Sequence, residues 1–227
     1  EERKGRVSMH SKKSTYSKFS DRKEPIYWIG GSSCAGKSTF ARQFAVKYGF
    51  TLYSCDDHFE KHLKKTSGSI QPAMISMSGM TPNEIFYLRP VAEQLQLYVN
   101  VFKEDFEFVI EDILSLPDKP LVIEGNQLMP SLVQPYISHK NSAIWLISNE
   151  KLQTELYLKR TWIHSILNKT SNPAVAFDKW MKRDALFAAK IQKETQKFNL
   201  TSKEFYSVQD LENNVNLLEN HFLFSHS

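Results

Sequence analysis

The chain has 227 residues, 41% hydrophobic and 12% aromatic, with 29 Lys+Arg against 25 Asp+Glu. That length suits one sizeable domain, or a core with a small lid; the apolar fraction, with only 8 Gly and 9 Pro, excludes whole-chain disorder and collagen-like sequences. No apolar run approaches the roughly 18 residues of a membrane span, so no membrane partner is expected.

The net charge of +4 is unevenly spread. Residues 1–24 hold eight basic and four acidic groups, which leaves 21 of each sign in residues 25–227. This Ser-rich, aperiodic segment reads as a disordered basic tail, and the remainder as one domain. The tail has no apolar h-region, so it does not read as a secretory signal, and a first residue other than Met suggests a trimmed or incomplete N-terminus. Two cysteines, Cys34 and Cys55, are too few for a disulfide framework, which points to a reducing, cytoplasmic setting.

Pro25 to Ile29 is a short β-branched and aromatic run ending at Gly30-Gly31, the pattern of a buried strand. Phe40, Phe44 and Tyr48, with Ala41 and Ala45 beside them, then fall at helical spacing, and Gly49 is a stop signal. Phe50 to Cys55 reads as a second strand, Leu121 to Gly125 as a third, Ser142 to Ile147 as a fourth and Glu204 to Val208 as a weaker fifth. Helical patterns separate most of them, the signature of a parallel sheet covered on both faces. In the long segment after strand two, Thr81-Pro82-Asn83-Glu84 is a capping box, and Pro90 should kink or restart the helix. Asn149 can cap a helix running to about Leu167, and Asn172-Pro173 opens another that continues towards Phe198.

Between strand one and the first helix, Gly31-Ser32-Ser33-Cys34-Ala35-Gly36-Lys37-Ser38 matches G-x-x-x-x-G-K-[ST] at every specified position. The mechanism of that motif needs a strand before it and a helix after it, and both are present. Glycines let backbone N–H groups turn around phosphate oxygens, and the helix N-terminus adds a favourable dipole. Residues Gly31 to Thr39 are therefore expected to hold a nucleotide, with Lys37 on its β/γ-phosphates and the Ser38 hydroxyl on Mg²⁺. Cys34, beside a helix N-terminus, occupies a position that lowers a thiol pKa, or else is a small loop filler.

Carboxylates follow the other strands at the edge where α/β proteins bind ligands. Glu124, at the end of strand three, suits a metal-shell carboxylate acting through water. Asp56 and Asp57 follow strand two, where a carboxylate accepts a proton from an attacking hydroxyl, helps hold the metal, or only charges a helix N-terminus. Asp57 is the preferred base and Asp56 the preferred neighbour of the metal, although spacing alone does not order them.

With these residues in place, the chain resembles the P-loop kinases of small molecules and nucleosides. That group includes the nucleoside monophosphate, shikimate, uridine and nicotinamide riboside kinases and the chloramphenicol phosphotransferases. The resemblance spans residues 25–215 but rests on the phosphate loop, Asp56-Asp57-x-Phe59 and Glu124-Gly125. It implies five parallel strands in the order 2-3-1-4-5, a substrate-binding insertion over residues 58–92 and a helical lid within residues 150–198. It also implies ATP with Mg²⁺ as cofactors and the Asp of Asp57-His58-Phe59 as base. Arg160 and Arg183 are then candidates to stabilise the transferred phosphoryl, while the lid lacks the closely spaced arginines of adenylate kinases.

Arg89 in the insertion is a candidate for an acidic group of the acceptor, and Phe59 for its binding wall. Met74, Met77 and Met80 form either a pocket wall or an ordinary core contact. His58 and His62, four residues apart, have metal-ligand spacing without a third ligand and read better as a surface helix face.

The expected activity is transfer of the ATP γ-phosphate to a hydroxyl or phosphate of a small molecule or nucleoside. A polynucleotide 5′-hydroxyl kinase or nucleic-acid-dependent ATPase using the tail is the alternative, although a nucleic-acid partner is disfavoured by the neutral body. A nucleotide-binding regulator without catalysis is a further one. A GTPase switch is disfavoured, since Asn168-Lys169-Thr170-Ser171 lacks the Asp that reads guanine.

Overall fold

The computed structural model describes residues 19, 21–214 and 216–224. Five parallel strands, β1 (Ile26–Gly31), β2 (Thr51–Ser54), β3 (Leu121–Glu124), β4 (Ala143–Ser148) and β5 (Ser202–Phe205), form one sheet in the order β2-β3-β1-β4-β5. The strands run in the order that the sequence resemblance implies.

Alternation along the strands divides the core. Ile29, Val122, Ile144 and Leu146 face α1 (Lys37–Tyr48), where they meet Phe40, Ala41, Phe44 and Ala45. Trp28, Leu121, Ile123, Trp145 and Ile147 face the other way, against Val99, Phe106, Val109 and Ile113 of a long helix, Val91–Ser115. The three central strands, β1, β3 and β4, therefore bury both faces, as the interior of a parallel sheet requires.

Between β2 and that long helix lie α2 (Cys55–Leu63), α3 (Pro72–Ser78) and a π-helical turn, Asn83–Leu88; the long helix is α4. The capping box closes: Glu84 accepts from the Thr81 backbone N–H at 2.7 Å, and the Glu84 N–H donates to Thr81 Oγ1 at 3.3 Å. Pro90 caps α4, so the helix restarts there. Met74 is fully buried in the main core and Met77 packs against it, which makes the Met stretch chiefly a core contact.

After β3 come α5 (Pro130–Val133), β4, α6 (Glu150–Leu158), α7 (Thr161–Leu167) and α8 (Pro173–Phe198). Asn149 and Asn172 cap α6 and α8 through their side chains. The helix expected to run unbroken to Leu167 is interrupted at Arg160, whose backbone is extended (φ −89°, ψ 113°). The fifth strand begins two residues earlier than expected, and it ends at Phe205 because Ser207 caps α9 (Val208–Asn213) and removes the following residues from the sheet. A last helix, α10 (Leu217–Phe222), covers α1. Among the described residues no helix is long and apolar enough to cross a membrane.

Most of the expected tail, residues 1–18 and 20, lies outside the described residues. Its last residues depart from the disordered reading. Phe19 stacks on Trp28, and the Arg22 guanidinium donates to the carbonyls of Leu116, Pro117 and Lys119 at 2.9–3.2 Å, beyond the C-terminus of α4. Asp118 accepts from the Lys23 and Glu24 N–H groups. Arg22→Ala should lower unfolding free energy by about 1–3 kcal/mol in urea denaturation, since several carbonyls lose a charged donor.

Candidate active site

Parallel strands aim their C-terminal ends at one edge, and the site forms there. Two glycines of the phosphate loop are required by geometry. Gly31 has φ +130°, and a Cβ on it would stand 1.8 Å from the Leu146 carbonyl oxygen. Gly36 has φ +79°, and a Cβ there would press on the Phe40 ring at 2.9 Å. Cys34 also adopts a left-handed conformation, with φ 62°. The Gly36 cap of α1 has no side-chain hydrogen bond, so the first-turn N–H groups of that helix face the loop without a side-chain acceptor.

β4 braces the loop from below. Ser148 N–H donates to Ser32 Oγ at 2.9 Å, and Ser148 Oγ donates to the Ser33 carbonyl at 2.6 Å. Sequence reasoning missed this residue, whose only signal is a polar side chain at the end of an apolar strand.

Ser33, Cys34, Ala35, Gly36, Lys37, Ser38 and Thr39 line one cavity with Asp56, Glu124, Asn126 and Arg160. Lys37 is buried, and its Nζ donates to the Ser32 carbonyl at 2.6 Å. Burial lowers its pKa, and the Glu124 and Asp56 carboxylates oppose that shift. Glu124 accepts from Ser38 Oγ at 3.1 Å and from Ser54 Oγ at 2.7 Å. The Ser54 hydroxyl is thus directed to Glu124, and it does not cap α2.

The two aspartates separate. Asp56 lines the cavity and accepts from Gln127 Nε2 at 3.3 Å. Asp57 is exposed, does not line the cavity, and makes no hydrogen bond or ion pair among the described residues. Phe59 is half-buried against the core and also lies outside the cavity lining.

Of the lid arginines, Arg160 reaches the cavity, its guanidinium 5.1 Å from the centre of the Tyr157 ring and 5.8 Å from that of Trp162. Arg183 does not line it. Its Nε donates to Asp184 at 2.7 Å, and its guanidinium lies 4.2 Å over the Tyr98 ring. Arg89 lies elsewhere, near Met80 Sδ and Glu93.

Cys34 fits the loop-filler alternative, and the surface reading of the two histidines changes in the structure. Cys34 packs with Tyr157, Ile163 and Trp180 of the lid, and burial raises its thiol pKa, against the lowering its helix position suggested. His58 stacks on Tyr53, with ring centres 4.1 Å apart. His62 is no surface residue: it is fully buried, Nδ1 2.7 Å from Asp105 Oδ1 and Nε2 3.1 Å from Asp112 Oδ2.

Burial pushes the His62 pKa down, but hydrogen bonds to Asp105 and Asp112 outweigh it and hold the value above the ordinary 6.5. Protonated His62 therefore stabilises the fold fully below about pH 6.5, and this contribution is lost as pH rises through the elevated value. Wild-type unfolding free energy should fall across that window, and His62→Asn should remove that part of the slope. The substitution should also cost about 3–5 kcal/mol below it, because two carboxylates lose their cation. Urea denaturation from pH 5.5 to 9 reads both effects.

A scan against protein-family models and a search of curated proteins return no match. Solved structures similar to this chain include a shikimate kinase from Acinetobacter baumannii in complex with shikimate (14% identity, 91% of this chain and 99% of that one, TM-score 0.46). A shikimate kinase from Bacteroides thetaiotaomicron shares 16% identity over 86% of this chain and 97% of that one, with TM-score 0.44. TT1252 from Thermus thermophilus shares 14% over 87% and 97%, with TM-score 0.46.

Proposed function

We propose that this chain is an ATP- and Mg²⁺-dependent kinase that phosphorylates a hydroxyl of a small molecule, with Asp56 as the general base. One observation carries the reading: Lys37, Ser38, Asp56, Glu124 and Arg160 line a single cavity around the phosphate loop.

The residues present fit the nucleotide and its metal. The left-handed glycines and the uncapped start of α1 form a cradle for phosphate oxygens, and Lys37 Nζ rests on a backbone carbonyl at its rim. Among the described residues no group of three or more His, Cys, Asp or Glu side chains stands ready to hold a metal alone. Mg²⁺ is held by one or two protein oxygens together with substrate phosphates, and here Ser38, with Glu124 behind it, would supply the protein side. When bound, the metal neutralises charge between the β- and γ-phosphates.

The chain's own groups supply the rest. Lys37 and Arg160 place positive charge around the transferred group, and Asp56 accepts the proton of the acceptor hydroxyl as its oxygen bonds to the γ-phosphorus. The bond from that phosphorus to the ADP oxygen breaks in line. Asp57, outside the cavity lining, serves α2 by putting negative charge at its N-terminus.

The test is ADP release from Mg-ATP with a panel of nucleosides, polyols, sugars and hydroxy acids. At least one class should raise the rate well above that with water. ATP binding without stimulation by any class would favour a regulator. Stimulation by 5′-hydroxyl oligonucleotides that falls steeply with salt would favour a polynucleotide kinase.

A further inference from the structure

We propose that Gln127 is a positioning residue that holds Asp56 in its reactive orientation. The inference rests on the reading of Asp56 as base and extends it to a residue outside the cavity lining.

Gln127 is 1% exposed. Its Nε2 donates to Asp56 Oδ1, and its Oε1 has no partner among the described residues. The turn that carries it is fixed on both sides. Leu128 and Met129 are fully buried, the Met129 N–H donates to the Gln127 carbonyl at 2.8 Å, and Trp145 Nε1 donates to the Leu128 carbonyl at 2.7 Å. On the other side the turn presses on the first residue of α2. A Cβ on Gly125 would stand 2.7 Å from Cys55 Cβ and 2.8 Å from Gln127 Oε1. The amide therefore lies against the start of the helix that carries Asp56.

Stability does not account for a glutamine here. A buried primary amide whose oxygen lacks a donor is unfavourable, and leucine would occupy similar volume without that penalty. The amide does one thing no apolar side chain can do: it binds one oxygen of Asp56. Asp56 is exposed, and Gln127 is its one hydrogen-bond partner among the described residues. An exposed aspartate samples several staggered rotamers. With Oδ1 held, Asp56 stays in one of them and Oδ2 is left for the proton of the incoming hydroxyl. Fixing a reacting group in this way is worth about 10²-fold when a misplacement near 1 Å is avoided.

The variants are Gln127→Leu, Asp56→Asn and the double substitution in the full chain. They are assayed by ADP release from Mg-ATP, with water and with the most active acceptor of the panel. Gln127→Leu should lower kcat about 10–100-fold while the unfolding midpoint is unchanged or raised and ATP affinity stays within about twofold. In the Asp56→Asn background the same substitution should produce no further loss, because it acts only through Asp56. Wild-type kcat in Gln127→Leu with Asp56→Asn inactive would overturn this proposal alone. So would a kcat loss matched by lost stability and ATP affinity, which marks a structural role. Full activity of Asp56→Asn would instead overturn the reading of Asp56 as base.

Discussion

Lys37→Met should reduce kcat/KM for phosphoryl transfer by at least about 10²–10³-fold, the effect of removing one preorganised charge from a site that stabilises developing charge. The side chain lines the cavity, near enough to the Glu124 and Asp56 carboxylates to feel their charge. Methionine keeps its length and apolar stem but cannot place a cation on the phosphates. The fold should tolerate the change. A buried ammonium carries a desolvation penalty, and the bond lost to the Ser32 carbonyl is worth only about 1 kcal/mol. Steady-state kinetics beside a urea curve separates the two effects. A Lys37→Met protein that transfers phosphate normally would remove the loop from the chemistry altogether.

Asp56→Asn and Asp57→Asn should differ sharply, although the residues are neighbours. With Asp56 as the proposed base, Asp56→Asn should lower kcat by about 10²–10⁴-fold, the usual range for general-base catalysis, with ATP affinity little changed. Asp57→Asn should retain nearly all activity and lose a few tenths of a kcal/mol of stability from the helix N-terminus. The reverse pattern would restore the assignment that the Asp57-His58-Phe59 resemblance favoured.

The placement of the two aspartates shows where the sequence is readable. The phosphate loop is legible because its function is local: the glycine spacing, the strand before it and the helix after it lie within one short segment. The identity of the carboxylate that faces the cavity is not, because successive residues of a helix point about 100° apart. Its phase is set by how α2 docks on the sheet. Arg183 is a lid candidate by residue type, yet its charge is paired with the next residue, and i,i+1 side chains seldom face each other on a helix. Arg160 is a candidate by residue type alone, while the helix break that delivers it to the cavity has no clear signal. His62 misled for a related reason. Its partners stand 43 and 50 residues away, beyond the reach of any periodicity argument. Asn126 and Gln127 had a weak signal, two amides directly after Glu124-Gly125 at the ligand edge of the sheet.

The strand order also governs when the site comes into being. β1 carries the phosphate loop and lies early in the chain, but it pairs only with β3 and β4, which end at Glu124 and Ser148. No strand of the sheet pairs with the one next to it in sequence except β2 with β3 and β4 with β5, and each of those pairs is joined through intervening helices. Such distant pairings must pay their loop-closure entropy before any contact repays it, which slows folding relative to helical bundles of similar stability. On the ribosome, Lys37 emerges long before the carboxylate that will stand opposite it. Synthesis must pass β4 before the Gly31 turn has the backbone against which it closes, so nascent chains cut short of Ser148 should bind no nucleotide.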